Sequence, residues 1–309
     1  MSFDVPILFL VFNRPETTVR VFEKIREIKP QRLFVAADGP REGKEGEKEK
    51  CQAVRDLILK NIDWPCEVKT LFRDQNLGCG SAVSGAITWF FENVEEGIIL
   101  EDDTVPDKSF FSFCEAMLNK YRFENKIKII GGINFQDGIR RGDASYYFTR
   151  LCHIWGWATW KRTWNEYDFD LSTNTRKEVT DTAFGYFGDR RIAEEWGNIY
   201  DHLKSKRYDT WDFQLALSIW QNDGINIVPQ KNLVSNIGYG QDATHTHLVD
   251  PFANIPLESL TDIKYASEIK VDARADLYSL NKIFPAPKRT LGSIGRSILR
   301  KIKNQLFLL

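Results

Sequence analysis

The 309-residue sequence predicts an α/β protein: a mostly parallel sheet with helices on both faces. Two observations predict that class. Apolar runs at residues 5–12, 32–38, 66–72, 97–102 and 127–133 are short and largely continuous rather than alternating, as strands are when both faces are buried. Between them, residues 16–28, 48–61, 81–93 and 108–122 carry helical periodicity. Strands that alternate with helices in this way form parallel sheets joined by crossovers. A third observation says where a site would lie, because ligands of such sheets bind beyond the carboxyl ends of the strands.

Those ends are polar one after another. The run VPILFLVF (5–12) leads into Asn13-Arg14-Pro15, and RLFVAAD (32–38) ends at Asp38-Gly39-Pro40. CEVKTLF (66–72) is followed by RDQNLGCG (73–80), and GIILED (97–102) ends in Glu101, Asp102 and Asp103. Helix caps and turns account for any one of these, since Asp and Asn cap well and Gly and Pro punctuate. Four on one sheet edge point to a site. The segment REGKEGEKEK (41–50) reads as a solvated loop entering a helix.

Beyond residue 135 the pattern is irregular. LCHIWGWATWKRTW (151–164) concentrates Trp, and Trp157, Trp160 and Trp164 have helical spacing. Residues 190–206 and 211–222 read as helices and 225–229 and 232–236 as short strands. GYGQDATHT (238–246) reads as a polar loop, and 262–287 show no clear pattern. The organisation is thus 1–135 as one half of a domain, 136–287 as its other half, and 288–309 as a tail. In the tail, Leu291, Ile294, Ile298, Ile302, Leu306 and Leu309 recur at steps of three and four among basic residues. That is either an amphipathic helix for an anionic membrane surface or a terminal helix docked on the domain.

Hydrophobic content of 42% and charged content of 28% suit a globular chain. A net charge of −1 gives no ground for nucleic-acid binding. Five scattered Cys without CxxC spacing point away from a disulfide framework and a zinc site and toward a reducing compartment. With no leader-like N-terminus and no apolar run long enough to span a bilayer, the expected location is the cytoplasm.

Three adjacent acids at the end of a buried strand repel one another and are costly to desolvate. In an extended chain Asp102 and Asp103 would point apart, one toward a metal and one toward hydroxyl donors. Magnesium- or manganese-type ions take oxygen ligands, often one or two carboxylates plus substrate phosphates.

LEDDTVPDKSFFSF, together with LVFNRP and AADGP, resembles the nucleotide-sugar half of GT-A-fold glycosyltransferases. The nearest resemblance is to the N-acetylglucosaminyltransferase I-like group and its bacterial relatives. The resemblance spans roughly residues 4–245 but is dense only at these motifs. It implies a metal-dependent (Mn2+ or Mg2+), inverting transfer of a sugar from a nucleotide-diphosphate sugar, UDP-linked, to a glycan or lipid-linked saccharide in surface polysaccharide synthesis. By it, Asp103 is the metal ligand and Asp102 and Glu101 contact the donor. Asn13 and Arg14 hold the nucleotide, Asp38 accepts from the base, and Asn76 and Gly78 border the donor. GWATWKRTW resembles the family segment beside the donor sugar, which implicates Trp157. YDTWDFQLALSIW resembles the Trp-Asp pair opening the catalytic helix, which makes Asp212 the base; a helix cap is an equally good account of Asp212 from the residues alone. In DATHTH, His245 is the preferred second metal ligand over His247.

Three other readings stand beside this one. A sugar nucleotidyltransferase would carry a Gly-rich loop after the first strand, where FNRPETT has no Gly. A glycan-binding scaffold on a decayed transferase fold would have lost the acids. A glycoside hydrolase would need two carboxylates facing across a sugar.

Overall fold

In the computed structural model, residues 3–238 and 252–285 are described. Strand β1 (Ile7–Val11) is buried throughout, and its side chains divide by parity. Ile7, Phe9 and Val11 enter one core, Leu8 and Leu10 the other. This two-sided burial is why the run is continuous in sequence. The chain then alternates through α1 (Pro15–Ile28), β2 (Arg32–Ala37), α2 (Glu47–Lys60), β3 (Glu67–Phe72), α3 (Cys79–Asn93) and β4 (Glu96–Glu101). Next come β5 (Thr104–Pro106), α4 (Lys108–Tyr121), β6 (Ile127–Gly131), β7 (Tyr146–Thr149) and β8 (Trp157–Trp160). The short α5 (Lys161–Trp164), α6 (Arg176–Phe187), α7 (Arg190–Lys204), α8 (Asp212–Gln221), β9 (Ile225–Pro229), β10 (Val234–Asn236) and α9 (Ala273–Ile283) complete the described elements.

The eight-stranded sheet has the order β3-β2-β1-β4-β8-β6-β9-β7. Strands β1 to β4, β6 and β9 run one way, and β7 and β8 run against them. Helices α1, α2 and α4 cover one face through Phe22, Ile58 and Phe113; α3, α7 and α8 cover the other through Phe90, Ile192 and Leu215. Each such fully buried side chain contributes about 2 kcal/mol. Strand β3 lies at the edge and carries Glu67 and Lys69, charges that deter pairing with another chain.

Two assignments change. Residues 157–160 form a strand inserted between β4 and β6, not part of a helix. With Trp157 in one core and Ala158 and Trp160 in the other, the period is that of a strand. Gly156 precedes it at φ +64, where any Cβ would meet the Val234 side chain. The stretch without clear pattern contains α9. The tail 288–309, with its expected membrane or docking role, lies outside the described residues, as does His245. Among the described residues no helix is long and apolar enough to cross a membrane.

A buried polar network docks α9. Asp276, only 3% exposed, accepts hydrogen bonds from the Thr149 hydroxyl and the Arg150 N–H, and Gln136 donates to Ser279 Oγ at 2.7 Å. Burial pushes the Asp276 carboxyl up to about 6, against those hydrogen bonds. The folded protein therefore binds this proton more tightly than the unfolded chain does. The associated stability is present below the ordinary carboxylate range and is lost as pH rises to about 6. Chemical denaturation across pH 4–7 should show a decline that Asp276→Asn flattens, by ~2–3 kcal/mol.

Candidate active site

The acidic cluster sits where β4 ends and the chain reverses. The Thr104 hydroxyl accepts from the Glu101 N–H at 2.9 Å and donates to the Glu101 carbonyl at 3.0 Å, closing a turn at Asp102 and Asp103. Because these two residues occupy a turn and not an extended strand, their carboxylates do not diverge as expected. They converge on Arg14, whose Nη2 bonds Asp102 and lies 3.0 Å from Asp103 Oδ2. Asp102 is buried and also accepts from the Phe12 N–H at 3.3 Å. Burial works against the Arg14 charge, yet the two carboxylates outweigh it and hold the guanidinium firmly protonated.

The cation does not balance the cluster. Burial pushes the Asp102 carboxyl up to about 6 in spite of Arg14. Burial, then the charges of Asp103 and Asp102, push Glu101 well above the ordinary carboxylate range, and Arg14 and Asp212 act on it in opposite senses. Among the described residues the Glu101 carboxylate makes no side-chain hydrogen bond. This is the electrostatics of a site short of positive charge.

At the end of β2, the Asp38 carboxylate accepts from Asn76 Nδ2 at 2.9 Å and from the Leu77 N–H at 3.0 Å. Burial raises its pKa against these bonds. Arg55, from α2, donates to the carbonyls of Asp38 and Arg73 at 3.1 and 2.6 Å, fixing the ends of β2 and β3 together. Gly78, at φ +80, precedes α3; a Cβ there would meet Asp209. The Asp209 carboxylate takes the Cys79 and Gly80 N–H groups at 2.8 and 2.9 Å, and a carboxylate is favoured at the positive end of a helix. Asp209 thereby ties the 205–211 connection to α3.

Three residues on, Asp212 opens α8. It does not act as a helix cap; its carboxylate accepts from the Thr210 hydroxyl. Trp211, buried, stacks on Trp157 with centroids 5.8 Å apart, and Tyr167 donates to the Trp211 carbonyl at 3.1 Å. The base of α8 is thus fixed from below by aromatic packing.

One cleft of about 740 Å³ joins these groups. Arg14, Asp38, Asn76, Gly78, Glu101, Asp102, Asp103 and Asp212 all line it. Two expected donor contacts do not. Asn13 Nδ2 is bound to Glu47 at 3.0 Å, and it fastens a loop instead of facing the cleft. Trp157 is fully buried beneath Trp211 and supports the wall without forming it; Trp155 is the Trp of that segment in the lining. Four charged lining residues escaped sequence reasoning: Arg41, Arg73, Arg207 and Asp209. The polar Asn236 also lines the cleft, brought opposite Thr104 by the β10–β5 pairing. Cys79 also lines the cleft, but burial pushes its thiol up to about 12, so it is no thiolate at neutral pH. His153 is buried and pushed down to about 4, a neutral core residue.

The described lining holds six carboxylates (Asp38, Glu101, Asp102, Asp103, Asp209, Asp212) against four guanidiniums (Arg14, Arg41, Arg73, Arg207). Among the described residues no three metal-ligating side chains converge on one point. Asp103 and the unpartnered Glu101 nonetheless suit a hard cation, which commonly takes one or two carboxylates and completes its shell with water and substrate oxygens.

No family model matches the chain, and no curated protein matches it. Among solved structures, HddC from Yersinia pseudotuberculosis is similar over 53% of this chain and 80% of its own, at 12% identity and a TM-score of 0.33. S. aureus TarS (residues 1–349) is similar over 62% of this chain and 55% of its own, at 10% identity and 0.37. A UDP-glucose pyrophosphorylase complexed with UDP-glucose is similar over 74% and 90%, at 10% identity and 0.41. Likenesses this loose carry no activity over to this chain.

Removing Arg14 would leave Asp102 buried without its cation. Arg14→Ala should destabilise the protein by about 3 kcal/mol in urea unfolding at pH 7.5. Adding Asp102→Asn should recover a large part of that loss; full additivity of the two changes would contradict the pairing.

Proposed function

We propose that this chain is a metal-dependent, inverting glycosyltransferase of the GT-A kind, in the N-acetylglucosaminyltransferase I-like group. It would move a sugar from a UDP-linked donor to a glycan or lipid-linked saccharide. The observation that carries the reading is the shared cleft: an acidic turn at the carboxyl end of β4 and the Asp212 carboxylate at the start of α8 line the same space. A diphosphate is itself anionic, so it enters a lining with more carboxylates than guanidiniums only with a cation. Asp103, with Glu101, would hold a manganese or magnesium ion, which when bound neutralises the departing diphosphate.

The chain's own residues supply the rest. Arg14 bridges Asp102 and Asp103 and so holds the two carboxylates of the turn in place. Asp212, held by Thr210, takes the proton of the acceptor hydroxyl as that oxygen attacks the anomeric carbon. Trp155 offers a flat apolar surface to a sugar ring. Asp38 and Asn76, bonded to each other, border the nucleoside. Manganese as the preferred ion and attachment to an anionic membrane through the tail are part of the same proposal.

Thermal-shift measurements with UDP, GDP, CMP and their sugars, each with and without manganese, test it. UDP compounds at a hundred times Kd should raise Tm by about 3–5 °C with the metal only, and Asp103→Asn should remove the effect. Stabilisation by a nucleoside triphosphate and a sugar 1-phosphate, with pyrophosphate release, would instead favour a nucleotidyltransferase. Asp212→Asn should keep UDP binding and lower turnover about 10²- to 10⁴-fold.

A further inference from the structure

The charged run at residues 41–50 looks solvated in sequence, but one of its residues is not. Glu47 is 5% exposed, while its neighbours in that run lie at the surface. Its carboxylate accepts from the Arg41 backbone N–H at 2.6 Å, from Arg41 Nε at 3.1 Å and from Arg41 Nη2 at 2.5 Å. It also accepts from Asn13 Nδ2 at 3.0 Å. One buried carboxylate therefore joins the segment after β1, the loop after β2 and the first turn of α2. The Arg41 side-chain hydrogen bonds keep Glu47 below the ordinary carboxylate range, against its burial.

The consequence falls on Arg41. It lines the cleft with its guanidinium 5.7 Å from the Phe12 ring centroid, and Phe12 lines the cleft too. A free arginine at a loop gives up about 2 kcal/mol of rotamer entropy to be held in one place; here the two-point bond to Glu47 has already fixed it. Position along the sheet says what it would meet. The loop carrying Arg41 follows β2, and in the order β2-β1-β4 the end of β2 lies two strands, about 10 Å at the usual strand spacing, from the end of β4. A donor whose diphosphate sits at Asp103 and whose nucleoside lies toward Asp38 would therefore pass the loop that carries Arg41.

Resting on the transferase reading above, we infer that Arg41 contacts the nucleoside of the donor and that Glu47 is its positioning residue. A planar guanidinium over an aromatic ring provides stacking and hydrogen-bond donors for base carbonyls, and it has no need to touch phosphate.

The test compares UDP with inorganic pyrophosphate, each with manganese, by calorimetry on the full chain. Arg41→Ala and Glu47→Gln should each weaken UDP about tenfold and leave pyrophosphate unchanged. Arg41→Ala leaves Glu47 buried without its cation, so an unchanged melting temperature and an unchanged pyrophosphate affinity are required of both variants to exclude a folding defect. Equal losses for UDP and pyrophosphate would put Arg41 on the phosphates and overturn the assignment, as would an unchanged UDP affinity in Arg41→Ala. Loss in Arg41→Ala without loss in Glu47→Gln would remove Glu47 from the account. If the unaltered protein binds neither ligand, the transferase reading falls and this inference with it.

Discussion

The contact of Arg14 with Asp102 and Asp103 is the constraint on which the site depends. A strand that ends in three acids is unstable as a local arrangement: the charges are adjacent and one is buried. The chain meets this with a single cation from the end of the neighbouring strand, since β1 pairs with β4 and Leu10 lies opposite Glu101. Because Arg14 starts α1 as well, helix, strand and acidic turn are held in one register. The compensation is partial, one guanidinium against three carboxylates, and the remaining charge faces the cleft.

The second half of the chain supplies what the first half lacks. Strand β8 enters between β4 and β6 and puts Trp157 under the cleft. Trp211 stacks on it, and the next residue is Asp212. Asp209 fastens the same connection to the start of α3. Strand β10 pairs with β5 immediately after the acidic turn. Three independent attachments thus bring the acid at α8 to the sheet edge that carries the β4 acids. The halves are not separable units, because their strands share one sheet.

The parallel core was legible in the sequence because two-faced burial writes itself as continuous apolar runs, and the gaps between them are long enough only for helices. The polar strand ends were legible for the same reason: once the strands are placed, their carboxyl ends are placed. What the sequence hid were pairings across distance. Nothing near Asp209 reveals that its partners are the amides of residues 79 and 80. Glu47 hides in a run whose composition is that of a surface. Asn13 looked like a ligand contact because it adjoins Arg14, but its side chain turns to Glu47. Trp157, Trp160 and Trp164 imitate a helix because a four-residue strand followed at once by a short helix gives the same spacing. Helix α9 is marked by a buried polar network more than by an apolar stripe, so periodicity does not find it.

We propose that the acidic turn is a metal–diphosphate seat. Its most direct test is a crystal of the full chain soaked with manganese chloride and UDP, with an anomalous difference map at the manganese edge. A peak is expected within bonding distance of the Asp103 carboxylate and of diphosphate oxygens, with the uridine running toward Asp38 and Arg41. A nucleotide bound without metal at the turn, or manganese bound away from Asp103, would contradict it.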